Sequence, residues 1–376
     1  MTERPFRLVI AGGGTGGHVQ PAVATLEVLR TLAPLETLWI GSRDGFEREV
    51  AARQGIAFRA IATGKLRRYL SLSTVPDAAR VPLGVVQALR ALRGFRPDVV
   101  FATGGFVSVP TVVAARWLRI PSLTHEQTAG VGLANRINAR FCDVVALAYP
   151  TSTEQLQGTR ARLVVTGNPV RDALRGGDAA AARARFGFSD ALPVIYVTGG
   201  VLGAHAINES VRIALPRLVS IAQVLHQCGP PAGNGDEPRL LAAREQLPPD
   251  LRSRYVVRER IGDELADVLA AAILAIGRAG AGTVAELATL GMPSILIPLP
   301  GTGGDEQTRN ARVLVEAGAA VLLPQGELTP DRLVNEVTGL LGDRARLREM
   351  SERARERGHA DAAARLAREV LALVNR

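Results

Sequence analysis

The sequence predicts an α/β protein made of two doubly wound, parallel-sheet domains that face each other across a cleft. Three observations carry this. Short apolar, β-rich runs alternate with helix-like segments, the pattern of βαβ units. Two of those runs end in glycine-rich turns that open helices, around 12–17 and 199–203, so two separate series begin. The 376 residues fill about two domains at roughly 150 residues each.

FRLVIA (6–11) is the first strand, followed by a glycine loop and a helix over 21–32. LETLWI (35–40) is the second. PDVVFAT (97–103) leads through GGF to a helix over 110–118, and PSLTHE (121–126) and DVVALA (143–148) complete the first series. The second opens with LPVIYVTGG (192–200) and a helix over 206–218. AQVLHQCG (222–229), ILAIG (273–277), PSILIPL (293–299) and AAVLLP (319–324) are its further strands, with a polar loop over 229–238. The charged, Ala-rich stretch from Arg344 reads as terminal helices. Gly and Pro break the pattern at TGNPVR (166–171), which places the domain boundary there.

Composition narrows the function classes. Hydrophobic residues are 47% and charged residues 22%, enough apolar surface to exclude disorder as the main theme. Two cysteines cannot build a disulfide framework or a Cys-rich zinc site, so a reducing compartment is expected. No apolar run approaches the length of a membrane span, and MTERPFRLVIAGGG reads as a lead into a strand rather than a signal peptide.

The net charge of +9 lies wholly in the first half: residues 1–170 hold 20 basic and 11 acidic side chains, whereas 171–376 hold 25 of each. Lys65, Arg67, Arg68, Arg80, Arg90 and Arg93 concentrate it, interleaved with Leu66, Leu70, Leu83, Val85 and Val86. Basic side chains among exposed aliphatics suit an anionic membrane surface. A solvated basic face is the plain alternative. With aromatics at 4%, stacking on nucleic-acid bases is unsupported.

Five segments carry chemistry. GGGTGGHVQP (12–21) satisfies G-x-G-x-x-G after a strand, yet the second strand runs into Gly41, Ser42 and Arg43 rather than the acid that holds a nicotinamide ribose. That counts against an oxidoreductase. The loop suits a phosphate, and His18 at its end is placed to serve as a base. TGGFVSVP (103–110) and HEQTAG (125–130) follow strands at the same sheet edge, so Gly104, Gly105, Phe106, His125 and Glu126, with Gly14 of the first loop, form a group that either binds or holds the loops. TGGVLGAHAIN (198–208) is a second phosphate-ready turn. In GRAGAGTVAELATLGMP (277–293), Arg278 can offset phosphate charge, and Glu286, expected in the first helical turn, can accept two ribose hydroxyls or favour the helix dipole. PLPGTGGDEQTRNA (298–311) presents Gln307. There is no D-x-D and no His/Cys cluster at metal spacing, so no metal and no cofactor are expected.

Taken in order, GGTGGHxxPA, HEQ, GNPVR, GGxxGAxxIN, HQxG, RAGAxTVAEL and DEQTxNA resemble the MurG family of peptidoglycan N-acetylglucosaminyltransferases, from about residue 6 to 340. The resemblance implies a GT-B fold of two Rossmann-like domains. It implies a peripheral enzyme on the cytoplasmic face of the cell membrane that transfers GlcNAc, with inversion, from UDP-GlcNAc to lipid I to give lipid II. Domains are expected at 1–168 (acceptor and membrane side) and 169–342 (UDP-sugar side), with helices over 343–376 packing back on the first. Thr15, Gly16 and Gly17 match the loop at the sugar-diphosphate, and His18 matches the family's base. Arg171 matches a donor-binding arginine and Ile261 the backbone position that reads uracil. Ala281, Gly282, Thr283, Val284, Ala285 and Glu286 match the segment around the nucleotide, and Gln307 a donor-sugar contact. Other cell-wall synthesis proteins join the expected partners. Thr128 stands where the family has Asn, and Val201 where it has the Ser that helps hold the nucleotide-sugar. These two departures keep open a different acceptor or sugar, or a silent homologue.

Overall fold

The computed structural model describes residues 4–14, 16–64, 74–301 and 305–374, with backbone alone over 74–79. The elements run β1 (Phe6–Gly12), α1 (Gly16–Leu32), β2 (Leu35–Gly41), α2 (Phe46–Arg53), β3 (Ala57–Ala60), α3 (Thr74–Phe95), β4 (Val99–Gly104), α4 (Ser108–Trp117), β5 (Ser122–Glu126), α5 (Leu133–Asn138), β6 (Val144–Leu147) and β7 (Arg162–Val165). They continue with α6 (Ala179–Phe186), β8 (Val194–Thr198), α7 (His205–Ile221), β9 (Gln223–Gln227), α8 (Glu237–Glu245), α9 (Pro249–Arg252), β10 (Tyr255–Arg258), α10 (Leu265–Ala271) and β11 (Ala272–Gly277). The last are α11 (Ala281–Leu290), β12 (Ser294–Leu296), α12 (Glu306–Val315), β13 (Ala320–Leu322), α13 (Pro330–Gly342), α14 (Arg344–Arg357) and α15 (Ala362–Val374).

The chain divides into two units, residues 1–171 with 359–376, and residues 172–358. In the first, seven parallel strands take the order β3-β2-β1-β4-β5-β6-β7. Leu8 and Ile10 of β1 face α1 and α15, while Val9 and Ala11 face α3 and α4. A strand buried on both faces reads as a continuous apolar run, which is why FRLVIA shows no alternation. In α15, Leu366, Ala367, Val370 and Leu373 lie on one helical stripe and pack into this core.

In the second unit six parallel strands take the order β10-β9-β8-β11-β12-β13 around one core that runs from Ile195 to Met350. Each sheet reverses its strand order once, between β1 and β4 in the first and between β8 and β11 in the second. Crevices outside the carboxyl ends of strands open at such points.

Several expectations are corrected. α14 does not return to the first unit: Leu347, Met350 and Ala354 form a buried stripe in the second, against α11, and α15 alone goes back. The division falls after Arg171 rather than after residue 168. Helix α1 starts at Gly16, so His18 rides on its first turn instead of preceding it. Three strands were not anticipated, β3 (AFRA), β7 (RLVV) and β10 (YVVR), and each is a sheet edge carrying an arginine.

Candidate functional site

At the reversal point of the first sheet, a polar cluster orients one histidine. His18 Nδ1 lies 2.9 Å from the Thr103 carbonyl and 3.1 Å from Gln127 Oε1. Both are acceptors, so Nδ1 carries a hydrogen, and in the neutral ring the lone pair is on Nε2. Gln127, 1% exposed, donates through Nε2 to the carbonyls of Thr103 (2.7 Å) and His125 (3.0 Å). The same nitrogen is 3.2 Å from His125 Nδ1, and His125 Nε2 donates to the Gly167 carbonyl at 3.0 Å. Burial drives the His125 pKa down to about 4; the Gly167 bond raises it and nearby His18 lowers it further. His125 is therefore neutral at pH 7, and its ring braces Gln127, which braces His18.

The loops around this imidazole are held tightly. Gly105 has φ +76°, and a Cβ there would stand 2.5 Å from the Gly13 carbonyl oxygen. Gly104 is packed beside His18, and half-buried Phe106 begins the turn into α4. The fully buried Glu47 carboxylate accepts from Gly14 N (3.0 Å), Ser42 N (2.7 Å) and Ser42 Oγ (2.6 Å). The Gly14 amide is thus engaged. The amides that the helix itself leaves unpaired are those of its first turn, with Gly16 and Gly17. Glu126 accepts from Thr128 N, Thr128 Oγ1, Gly132 N and Asn135 Nδ2, all within the chain. Thr128 is 7% exposed, with its hydroxyl against Glu126 and the Gly130 carbonyl. Of the loop-holding and binding readings for the HEQTAG segment, this geometry is that of loop-holding.

The reversal point of the second sheet is built mainly of backbone. The turn over 199–203 joins β8 to α7, and Gly203 sits at φ +73°, where a Cβ would be 1.9 Å from the Cys228 carbonyl oxygen. Gln227 braces this turn: its Nε2 donates to Thr198 Oγ1 (3.2 Å) and the Gly200 carbonyl (3.1 Å), and its Oε1 accepts from Ile261 N (2.9 Å). The Ile261 amide is therefore already bonded. Behind the turn runs a buried chain. Tyr255 OH donates to His226 Nδ1 (2.8 Å), and His226 Nε2 donates to Asn208 Oδ1 (3.0 Å). Asn208 Nδ2 donates to the Cys228 carbonyl and to Asp236 Oδ2, both at 2.9 Å. Asp236 then meets His205 at 2.8 Å. Burial takes the His226 pKa down to about 3, against the pull of Asp236.

Helix α11 starts at Ala281 after Gly280, with no side-chain cap, so Ala281, Gly282 and Thr283 form its first turn. Its amide groups point where an anion is stabilised by the helix end. Val284 and Ala285 are buried core residues. Glu286 falls in the second turn rather than the first, which removes the dipole reading because that effect fades beyond one turn. Its charge reaches Tyr196, whose phenol it helps push up after burial.

Arg278 is corrected as well. At 8% exposed it donates to the carbonyls of Ile297 (3.0 Å) and Pro298 (3.1 Å) and to Gln325 Oε1 (2.6 Å). Burial lowers its pKa, and it ties residues 297, 298 and 325 together. Gln307 Oε1 accepts from Leu299 N at 2.9 Å. Val201 is 42% exposed at the turn's tip and Leu202 66%. Arg171 ends the first unit with a buried Nε that has no hydrogen-bond partner among the described residues.

On α3, Leu83 (51% exposed), Val86, Arg90 and Arg93 recur at helical spacing on the outer side, with exposed Arg80 one turn earlier. Thr15, Lys65, Arg67 and Arg68 lie outside the described residues. Among the described residues no helix is long and apolar enough to cross a membrane. Sequence reasoning assigned no role to Gln127, Gln227 or Glu47. The two glutamines sat inside quoted motifs, but nothing in the sequence told which acceptor each would meet.

Comparison with known proteins gives a consistent result. Residues 8–147 match the glycosyltransferase family 28 N-terminal domain and 194–366 its C-terminal domain. A Listeria monocytogenes protein is 36% identical over 371 residues, covering 98% of this chain and all of the relative. It is named UDP-N-acetylglucosamine–N-acetylmuramyl-(pentapeptide) pyrophosphoryl-undecaprenol N-acetylglucosamine transferase. A protein of the same name from Exiguobacterium sibiricum is 36% identical and covers 99% of the chain and all of the relative. Among solved structures, Acinetobacter baumannii MurG matches with a TM-score of 0.74 and 28% identity, covering 98% of this chain and 100% of that one.

Proposed function

The chain belongs to glycosyltransferase family 28, and we infer from that membership and its MurG relatives that it is the transferase that makes lipid II. It moves N-acetylglucosamine from UDP-N-acetylglucosamine to N-acetylmuramyl-(pentapeptide) pyrophosphoryl-undecaprenol. The observation that carries the mechanism is the orientation of His18, whose Nδ1 faces the Thr103 and Gln127 acceptors, so that in the neutral ring Nε2 is the nitrogen with the lone pair.

His18 Nε2 takes the proton of the acceptor's 4-hydroxyl as that oxygen attacks the anomeric carbon. The new C–O bond forms on the face opposite UDP, so the configuration inverts. The bond from the anomeric carbon to the β-phosphate oxygen breaks, and UDP leaves with the electron pair. A placed base contributes on the order of 10²–10⁴ in rate. The first-turn amides at Gly16 and Gly17 suit the sugar-diphosphate. In the second unit, the 199–203 turn and the start of α11 suit the diphosphate of the donor, where fixed amides stabilise developing charge without a bound metal or other cofactor. Arg171 matches a donor-binding arginine of the family, and Glu286 suits the ribose hydroxyls. The outer face of α3 suits an anionic membrane surface, where the lipid acceptor resides. Support there is the exposed stripe that Leu83 and Val86 share with Arg90 and Arg93.

The test is UDP release with UDP-GlcNAc and a short-chain lipid I analogue. Acceptor-dependent release is expected, falling at least 100-fold in His18→Ala, consistent with loss of a base, while UDP still binds the variant. Undiminished release in a folded His18→Ala protein would remove His18 from the role of base.

A further inference from the structure

A cleft of about 1020 Å³ lies within the second unit, at the end of its sheet opposite the 199–203 turn. Pro193 before β8, Ala272 at the start of β11 and Pro293 before β12 mark that edge. The proposed transfer uses none of it. Its floor is apolar, and one floor residue is there by a backbone irregularity. The β8–β11 register shifts between Ala272 and Leu274, and Ile273 between them is left 38% exposed in the cleft. A bulge of this kind re-aims a side chain out of the ladder.

One wall is a single face of α14. Arg344, Leu347, Arg348, Ser351 and Arg355 follow i, i+3, i+4, i+7 and i+11, and all line the cleft. Arg344, Arg348 and Arg355 make no ion pair among the described residues, while Arg353, off this face, pairs with Glu349. Arg355 is laid over the Gly291 backbone, where a Cβ would come within 2.7 Å of its guanidinium carbon. Across the cleft stands Arg183, 3.5 Å from Asp190, the one acidic lining residue.

The spacing decides what fits. Eleven helical residues separate Arg344 from Arg355, about 16 Å at 1.5 Å per residue. A single phosphate or carboxylate head cannot reach both ends. An extended peptide rises about 3.3 Å per residue, so roughly five residues cover that span, with alternate side chains on opposite faces. We propose that this cleft binds an acidic, apolar-alternating segment of a partner protein, with its carboxylates on the α14 arginines and its apolar side chains on the floor around Ile273.

The probe is a fluorescein-labelled Leu-Glu-Leu-Glu-Leu-Glu peptide, followed by anisotropy with the full chain at moderate salt, beside its Leu-Lys counterpart. Saturable binding of the acidic peptide alone is expected. Arg344→Glu with Arg348→Glu should weaken it at least tenfold, and Ile273→Glu severalfold. Arg346→Glu with Arg357→Glu, the same charge change on α14 away from the cleft, should alter it less than twofold. Turnover should stay unchanged in all three variants. Absence of saturable binding, or equal losses in the two double variants, overturns the proposal. So does a short prenyl phosphate or inorganic phosphate that binds as tightly and with the same variant dependence, which would make this a site for small anions.

Discussion

The two units share an architecture and differ in what they place at the same spot. Each reverses its strand order once, and each puts a glycine turn, a helix start and a glutamine there. In the first unit the glutamine, Gln127, fixes a side chain that can take a proton. In the second, Gln227 fixes backbone, the 199–203 turn and the Ile261 amide. The lesson is that this topology supplies a rigid rim, and the residue on the rim decides whether it does acid–base work or recognition. Under the proposed function, reaction chemistry and donor recognition are accordingly expected to separate on mutation.

The glycine pair tests this hardest. Gly105→Ala and Gly203→Ala both force a side chain into positive φ and into a carbonyl oxygen. Left-handed strain and overpacking together cost about 2–5 kcal/mol. Thermal unfolding should register a loss in each, with kcat falling in Gly105→Ala and donor KM rising in Gly203→Ala. Identical kinetic signatures would break the comparison.

Next come the buried histidines, one per unit. His125 and His226 have pKa values lowered to about 4 and about 3, both by burial first. Above pH 6.5 they are neutral folded or unfolded, so the full stability is present. As pH falls below 6.5 the unfolded chain takes up protons that the folded one refuses, and stability is lost until each folded pKa is reached. At 1.36 kcal/mol per unit, the loss is on the order of 3 kcal/mol for His125 and on the order of 5 kcal/mol for His226. Melting temperature should fall steadily from pH 6.5 to 4, and imidazole NMR signals should titrate near 4 and 3. A midpoint near 6.5 for either would contradict its buried, neutral placement.

The glutamines give a smaller and sharper contrast. Gln127→Ala removes an acceptor from His18 Nδ1 and should lower kcat about fivefold, one hydrogen bond at about 1 kcal/mol, with donor KM little changed. Gln227→Ala should raise donor KM by a similar factor and leave kcat. Steady-state kinetics with both substrates varied reads the split. The smallest effect is expected of Val201→Ser. Restoring the family's hydroxyl at an exposed turn should lower donor KM about 2–10-fold, again one neutral hydrogen bond. An unchanged KM would mean that backbone alone holds the donor at this turn.

Legibility in the sequence followed burial. Interior strands such as FRLVIA and LPVIYV are covered on both faces, so their apolar runs announced them. The edge strands AFRA, RLVV and YVVR are half solvated and admit arginine, so no run marked them. The sequence from Arg344 on read as one charged, Ala-rich stretch, yet α14 and α15 went to different units, because their buried stripes met different cores. Arg278 illustrates the same limit at the site. Its neighbours made it look like a phosphate partner, but three acceptors from residues 297, 298 and 325 claim it.

The sequence by itself determined the two α/β series, the glycine turns that end β1 and β8, the charge asymmetry and the family. These are local or additive properties: period, turn chemistry, a sum of charges, a string of motifs. Only the tertiary structure decided which nitrogen of His18 faces the Thr103 and Gln127 acceptors, that Gln127 and Gln227 are braces, and that Glu126, Thr128 and Arg278 are bonded within the chain. Those facts depend on partners between 2 and about 110 positions away along the chain, such as His18 with Gln127. A buried polar group takes its role from whichever acceptor folding brings within 3 Å, and no spacing in the sequence encodes that.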